Sequence, residues 1–420
     1  MRRIILYASG YTGIALFTQV VAMWAMYFYA PPADVGRIAY VPVATFGLIL
    51  GMGRVIDAFT DPLVANWSDN FSSKWGRRIP FLALGGVPLS LFFVLLWRPP
   101  VEGYAAVNSI YLFLVISLFF FCMTLVTCPF LALLPEIAGP RERITASTFL
   151  GSAYVLGLIG GTAGSSFLIN NYNFATMGMI LGFAGLLALY TPVISVRETG
   201  NVERKRFHFK KSLWVVLKNR AFLPFIVGQV FFWFAFNIII VGLPYIVTIR
   251  MSMPEAQTGL ALSLALIVTL VSFPLVSYTA RVKGKKWTFV FVMFCSFAVL
   301  VGLATLGHWP GALELSAQGL IVIAIAGIPL AGLFILPNAL IADISDYDAK
   351  HSGEYREAMY YAFYGMVMKG TIGISSFCLG LLLNTFGYSS GNPLGIYLIA
   401  PLAAISILAG LLVFRTYPLH

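Results

Sequence analysis

The chain has 420 residues, of which 59% are hydrophobic and only 10% are charged, and its formal net charge is +11. Because a soluble protein carries about 25% charged residues to cover its surface, the composition excludes a soluble enzyme, a disordered chain and a secreted disulfide scaffold. Long unbroken apolar runs, such as residues 315–342, argue against a membrane β-barrel, whose strands alternate in polarity. The composition therefore predicts an all-α polytopic membrane protein.

Apolar stretches of about twenty residues, the length that crosses a bilayer as a helix, predict twelve transmembrane helices. The longest polar stretch, residues 197–220, is predicted to be a cytoplasmic linker between two six-helix bundles, residues 1–196 and 221–420. Two equal halves are typical of duplicated transporters. In chain order the predicted helices lie near residues 6–30, 38–67, 79–97, 108–135, 144–169, 176–195, 221–247, 256–280, 287–306, 315–342, 358–386 and 393–415.

The basic residues indicate the orientation in the membrane. With both termini in the cytoplasm, only Arg37, Arg98 and Arg250 of the 27 Lys and Arg residues fall in outer loops, and only Arg54 and Lys369 fall within spans. The positive-inside rule therefore predicts a multi-pass protein of the plasma (bacterial inner) membrane with both termini cytoplasmic. The inner basic groups face anionic lipid, so the positive net charge does not require nucleic acid as a partner.

The second and eleventh predicted helices carry the charges that lie deep within spans. Arg54, Asp57 and Asp61 belong to the second helix, and Lys369 belongs to the eleventh. Each such group costs about 2.5–3.5 kcal/mol at the bilayer centre unless it is paired or hydrated. A cost of that size indicates a function for these residues.

The aspartates of the second helix are spaced to form an ion site. Asp57 and Asp61 are four residues apart and share a helix face. Two carboxylates one turn apart repel each other, so either one is protonated or a cation such as Na⁺ lies between them, with Thr60 as a further oxygen ligand. The alternative is an Arg54–Asp57 ion pair that only locks helices together, which leaves Asp61 without a partner. Lys369 is expected to face a central cavity opposite both aspartates.

Three segments of the chain carry a family resemblance. They are GRVIDAFTDP at residues 53–62 with SD at 68–69 and WGRRIP at 75–80, the charged run from Asp343 to Glu357 that leads into MVMKG at 366–370, and Thr124 with Pro129-Phe130. Together they resemble the glycoside–pentoside–hexuronide:cation symporters of the major facilitator superfamily. The resemblance implies a major facilitator fold of two six-helix bundles that works by alternating access.

The resemblance also implies roles for individual residues. The cation site is expected at Asp57, Asp61, Thr124 and Thr60, with Lys369 and Arg54 coupling the ion to the substrate. Gating at the inner loops is expected from Asp69, Arg77, Arg78, Arg141, Asp346 and Glu357.

The sequence departs from the family where its melibiose-type members bind sugar. Thr127 stands where those members have an acidic residue, Leu131 where they have a tryptophan, and Gly151 where they have an arginine. The charged sugar partners are therefore absent, whereas the ion site is retained. The substrate cavity is expected to be lined by polar and aromatic residues, namely Gln19, Trp24, Thr127, Gln229, Trp233, Asn237, Tyr361 and Tyr364.

These features favour a cation-coupled symporter, driven by Na⁺ or H⁺, for a sugar, a glycoside or another small organic solute. One alternative is a cation-coupled transporter of a lysolipid or another amphiphile, because lysolipid symporters resemble this family and would suit an apolar cavity. A non-transporting membrane sensor is a third alternative. An enzyme is not expected, because the four histidines fall in or near loops or at the terminus. The expected partners are the substrate, a monovalent cation and the lipid bilayer; we expect a monomer without a cofactor.

Overall fold

A computed structural model describes residues 2–71, 73–137, 143–196, 219–309, 313–352 and 357–418. Within these ranges the chain forms twelve long helices, which confirms the predicted all-α fold. Their bounds are α1 Arg2–Tyr29, α2 Val43–Asn70, α3 Ile79–Leu95, α4 Ala106–Ala132, α5 Arg143–Asn171, α6 Phe174–Ser195, α7 Phe222–Tyr245, α8 Gln257–Lys283, α9 Lys285–Ala304, α10 Leu315–Ser352, α11 Glu357–Phe386 and α12 Leu394–Phe414.

Eleven of the helices in the described ranges are long and apolar enough to cross a membrane. The exception is α3, which has 17 residues. At its C-terminal end, tyrosines of other helices donate to backbone carbonyls: the Tyr111 hydroxyl donates to Leu95 O (2.8 Å), and the Tyr29 hydroxyl donates to the carbonyl of the next residue, Leu96 (2.9 Å). These donors satisfy carbonyls that have no partner within the helix.

Helix α10 is longer than the sequence predicted. The apolar run ends at residue 342, but the helix continues to Ser352 and includes Asp343 and Asp346. Near the start of this extension, Lys285 Nζ at the first residue of α9 lies 2.6 Å from Asp343 Oδ1. Hydropathy identifies only the part of a helix that lies within the bilayer. Where a helix projects beyond the bilayer, its residues become polar although the helix continues.

The chain folds as two compact units. The first comprises Met1–Glu203 with Pro254–Ser263, and the second comprises Arg204–Met253 with Leu264–His420. The predicted linker lies outside the described residues except for positions 219 and 220. The division into bundles at residues 1–196 and 221–420 stays a prediction.

Small residues allow close helix packing in the first unit. There α1 packs against α5 and α6, α2 against α4, and α3 against α4 and α6. A Cβ atom at Gly157 of α5 would lie 2.4 Å from the Thr12 carbonyl oxygen of α1, so the backbones meet only because this residue is glycine. In the second unit α7 packs against α11 and α12, and α9 packs against α10 and α12.

Candidate cation-binding site

The helix pair α2–α4 of the first unit brings the predicted cation ligands together. Asp57 and Asp61 lie on one face of α2, and Thr124 lies on the adjacent α4. Thr124 Oγ1 is 2.6 Å from Asp57 Oδ1 and 3.1 Å from Asp61 Oδ1. The oxygen of one hydroxyl therefore joins both carboxylates.

Thr60 completes the predicted oxygen set. Its hydroxyl lies 3.5 Å from Thr124 Oγ1 and donates to the Asp57 carbonyl oxygen at 3.0 Å. Asp57 is 2% exposed and Thr124 is 1% exposed, whereas Thr60 and Asp61 are half-buried. Because a hydroxyl carries one hydrogen, Thr124 can donate to only one carboxylate at a time. The arrangement suits a hard monovalent cation or a shared proton.

Arg54 approaches the opposite side of the Asp57 carboxylate. Its Nη1 atom lies 3.5 Å from Asp57 Oδ2, which is the oxygen that does not face Thr124. The guanidinium carbon lies 4.2 Å from the centre of the Phe120 ring, within the range of a cation–π interaction. The Arg54 side chain is only 11% exposed.

Two further residues, which were not predicted from the sequence, lie at this site. Phe120 contacts Arg54, and Cys128 Sγ lies 3.5 Å from Asp61 Oδ1. Phe120, Thr124 and Cys128 are spaced at four-residue intervals along α4 and share one helix face. That spacing is the signal that could have found them once Thr124 was assigned.

Of the predicted cavity residues of the first unit, Trp24 and Gln19 are buried and Thr127 is half-buried. Trp24 is fully buried and donates its indole N–H to Ser165 Oγ at 2.8 Å. Gln19 is buried, and its Nε2 atom has no hydrogen-bond partner among the described residues. Thr127 Oγ1 likewise has no hydrogen-bond partner among the described residues. Gly151, in contrast, has open space where a side chain would begin.

The second unit brings together two of its predicted cavity residues. Trp233 Nε1 donates to the Tyr364 hydroxyl at 3.0 Å, whereas the Tyr361 hydroxyl donates to Asn338 O at 3.1 Å. Asn237 Nδ2 donates to the hydroxyls of Ser375 (2.7 Å) and Ser376 (3.1 Å).

Gln229 and Lys369 also belong to the second unit. Gln229 is fully buried on α7, and neither of its amide atoms has a partner within the described part of the chain. Lys369 lies partly buried on α11. The expectation that Lys369 faces the two aspartates stays a prediction.

The predicted gating residues are found in different surroundings. Arg78 is buried at the start of α3 and donates to the Ala132 carbonyl oxygen of α4, Arg77 is half-buried, and Asp346 is exposed. Asp69 and Glu357 lie in α2 and α11, but their side chains, like the whole of Arg141, lie outside the described residues. The Lys285–Asp343 pair was not predicted from the sequence, although the basic residues near 283–286 were a signal for it.

The sequence matches a family described as MFS/sugar transport proteins over residues 6–420. It is 26% identical to the sodium-dependent lysophosphatidylcholine symporter 1 of Xenopus tropicalis, a match that covers 91% of this chain and 82% of that protein. It is also 26% identical to the glucuronide carrier protein homolog of Escherichia coli K12, covering 87% and 80% of the two chains. The crystal structure of a nucleoside transporter, NupG, superposes with a TM-score of 0.71 at 14% identity, covering 98% and 99% of the two chains.

Proposed function

Because the chain belongs to the family of MFS/sugar transport proteins, we propose that it couples the movement of an organic solute to that of a monovalent cation bound by Asp57 and Asp61. It is a membrane transporter of the symporter type and not an enzyme. We place it in the plasma membrane as a monomer with both termini in the cytoplasm.

The observation that carries the ion site is the bridge made by Thr124 between the two carboxylates. Two aspartates that meet one buried hydroxyl are most stable when a positive charge joins them. The proposed ligand atoms, which are the carboxylates of Asp57 and Asp61 and the hydroxyls of Thr124 and Thr60, are oxygens, and oxygen ligands suit Na⁺ better than a transition metal. Na⁺ is therefore the proposed ion, and a proton shared by the aspartates is the alternative.

The proposed substrate class follows from the residues that this chain has where melibiose-type members of the family bind sugar. Thr127, Leu131 and Gly151 supply neither the charges nor the aromatic platform that a plain sugar needs. Each sugar hydroxyl left without a partner costs about 1–3 kcal/mol on burial. We propose a solute with an apolar face, such as an aryl or alkyl glycoside.

A lysolipid is the second candidate, and the same loss of charged partners favours it. A single acyl chain suits a site without charged sugar ligands, and one relative at 26% identity is named for sodium-dependent lysophosphatidylcholine transport. The relative from Escherichia coli is named as a glucuronide carrier protein homolog, so we keep a glycoside as the first candidate substrate.

A thermal-shift screen of the purified protein tests the proposal. Plain α-galactosides, aryl and alkyl glycosides and lysolipids are each added in NaCl and in choline chloride of equal concentration. We expect stabilisation by an amphiphilic ligand that is larger in NaCl, because ion and substrate binding are coupled. Sodium-dependent binding of a plain α-galactoside at millimolar concentration or below would contradict the substrate assignment.

A further inference from the structure

The Asp57 carboxylate divides its two oxygens between different partners. Oδ1 lies 2.6 Å from Thr124, on the side of Asp61, whereas Oδ2 lies 3.5 Å from Arg54 Nη1. A close charge-assisted hydrogen bond between nitrogen and a carboxylate is about 2.7–2.9 Å long. Arg54 is therefore near enough to compete for Asp57 but does not close onto it.

The Phe120 ring accounts for the position of the guanidinium. Phe120 is 2% exposed, and its ring centre lies 4.2 Å from the Arg54 guanidinium carbon. The ring fills the space above Gly53, where a Cβ atom would lie only 3.0 Å from Phe120 Cδ2. The glycine that precedes Arg54 thus allows the ring to lie beside α2, in reach of the guanidinium.

Arg54 also has an N–H donor that is not used in the contacts described above. Its Nε atom is buried and has no hydrogen-bond partner among the described residues. A guanidinium that moved toward Asp57 could engage both carboxylate oxygens through two parallel N–H groups. That movement would occupy Oδ1, the oxygen that faces the cation site.

We propose that Phe120 is a positioning residue that holds the Arg54 guanidinium on one side of Asp57 and thereby keeps it away from Oδ1, the oxygen that faces Thr124 and the proposed cation site. Arg54 then competes with the cation for the Asp57 carboxylate, and Phe120 determines how strongly it competes. This inference rests on the proposed cation site.

A double-mutant cycle tests the proposal on the intact chain of 420 residues in detergent. NaCl is titrated into the wild type, Phe120→Leu, Arg54→Gln and the double variant by calorimetry, with choline chloride as the control for ionic strength. We expect Phe120→Leu to weaken Na⁺ binding about three- to tenfold, in keeping with the strength of a buried cation–π contact. In the Arg54→Gln background the same change should alter the affinity less than twofold, because the competitor is gone.

Phe119→Leu is the matched control, because Phe119 is equally buried beside Phe120 on α4 and should leave Na⁺ affinity within twofold. Phe120→Met replaces the leucine variant if that variant does not fold. Equal losses in both Arg54 backgrounds, or no loss in either, would overturn the role of Phe120 while leaving the cation site intact. A wild type that binds neither Na⁺ nor Li⁺ nor a proton would overturn the proposed function and this inference together.

Discussion

At the scale of single residues, the three charged side chains of α2 that lie within the predicted span are arranged as one connected group. Asp57 contacts Thr124 on one oxygen and Arg54 on the other, and Asp61 reaches the same threonine. Each of these groups would cost several kcal/mol in lipid on its own. Their mutual contacts reduce that cost, and a bound cation would reduce it further.

Replacing either aspartate tests the ion site directly. We expect Asp57→Cys and Asp61→Cys each to abolish ion-driven accumulation of substrate while the protein still reaches the membrane, because a thiol cannot replace an anionic oxygen for a hard cation. Transport into proteoliposomes under an imposed Na⁺ or H⁺ gradient is the measurement. Asp34→Cys, in the exposed loop before α2, is the matched control and should transport normally. If the Asp57→Cys and Asp61→Cys variants both still concentrate substrate, the ion site is wrongly assigned.

At the scale of helices, the first unit depends on close backbone contact between α1 and α5. Gly157 lies against Thr12, whereas Gly160, one turn along the same helix, has no atom within 4 Å of where its Cβ would lie. The two glycines therefore have different physical roles despite their similar positions in the sequence.

Alanine substitution should separate these roles. Gly157→Ala forces its methyl group into the Thr12 carbonyl, so we expect a lower melting temperature and a loss of stability of about 1–3 kcal/mol from overpacking. Gly160→Ala should be neutral or stabilising by up to about 1 kcal/mol, because alanine favours the helix and meets no obstacle. Thermal unfolding of the two variants in the same detergent is the measurement. Equal stability of both would show that the α1–α5 contact can adjust.

At the scale of the whole molecule, the distribution of basic residues predicts the topology. Few Lys or Arg residues fall in the predicted outer loops, and the inner ones would lie next to anionic lipid. Reporter fusions after Arg204 and after Lys283 should therefore read as cytoplasmic, and a fusion near Glu102, between α3 and α4, should read as external. Paired phosphatase and fluorescent reporters at each position provide the measurement. An external signal at Arg204 would invert the assigned orientation.

Local sequence was enough to predict the twelve helices and the shared face of Asp57 and Asp61 on α2. A bilayer requires about twenty apolar residues per helix whatever the rest of the chain does, and a four-residue spacing places Asp57 and Asp61 on one face of any α-helix. The family resemblance added Thr124 as a partner from a distant helix, and the structure brings its hydroxyl to both carboxylates.

Only the tertiary structure decided what surrounds that face. Phe120 against Arg54 and Cys128 beside Asp61 depend on how α4 is rotated and shifted against α2, and no local pattern fixes either quantity. The same reason applies to Trp24, predicted as a cavity residue, whose indole N–H donates to Ser165 on α5. The sequence by itself determined which residues are apolar, charged and periodically spaced, because these are properties of each segment. Which of them meet was decided by packing between segments that are far apart in the chain.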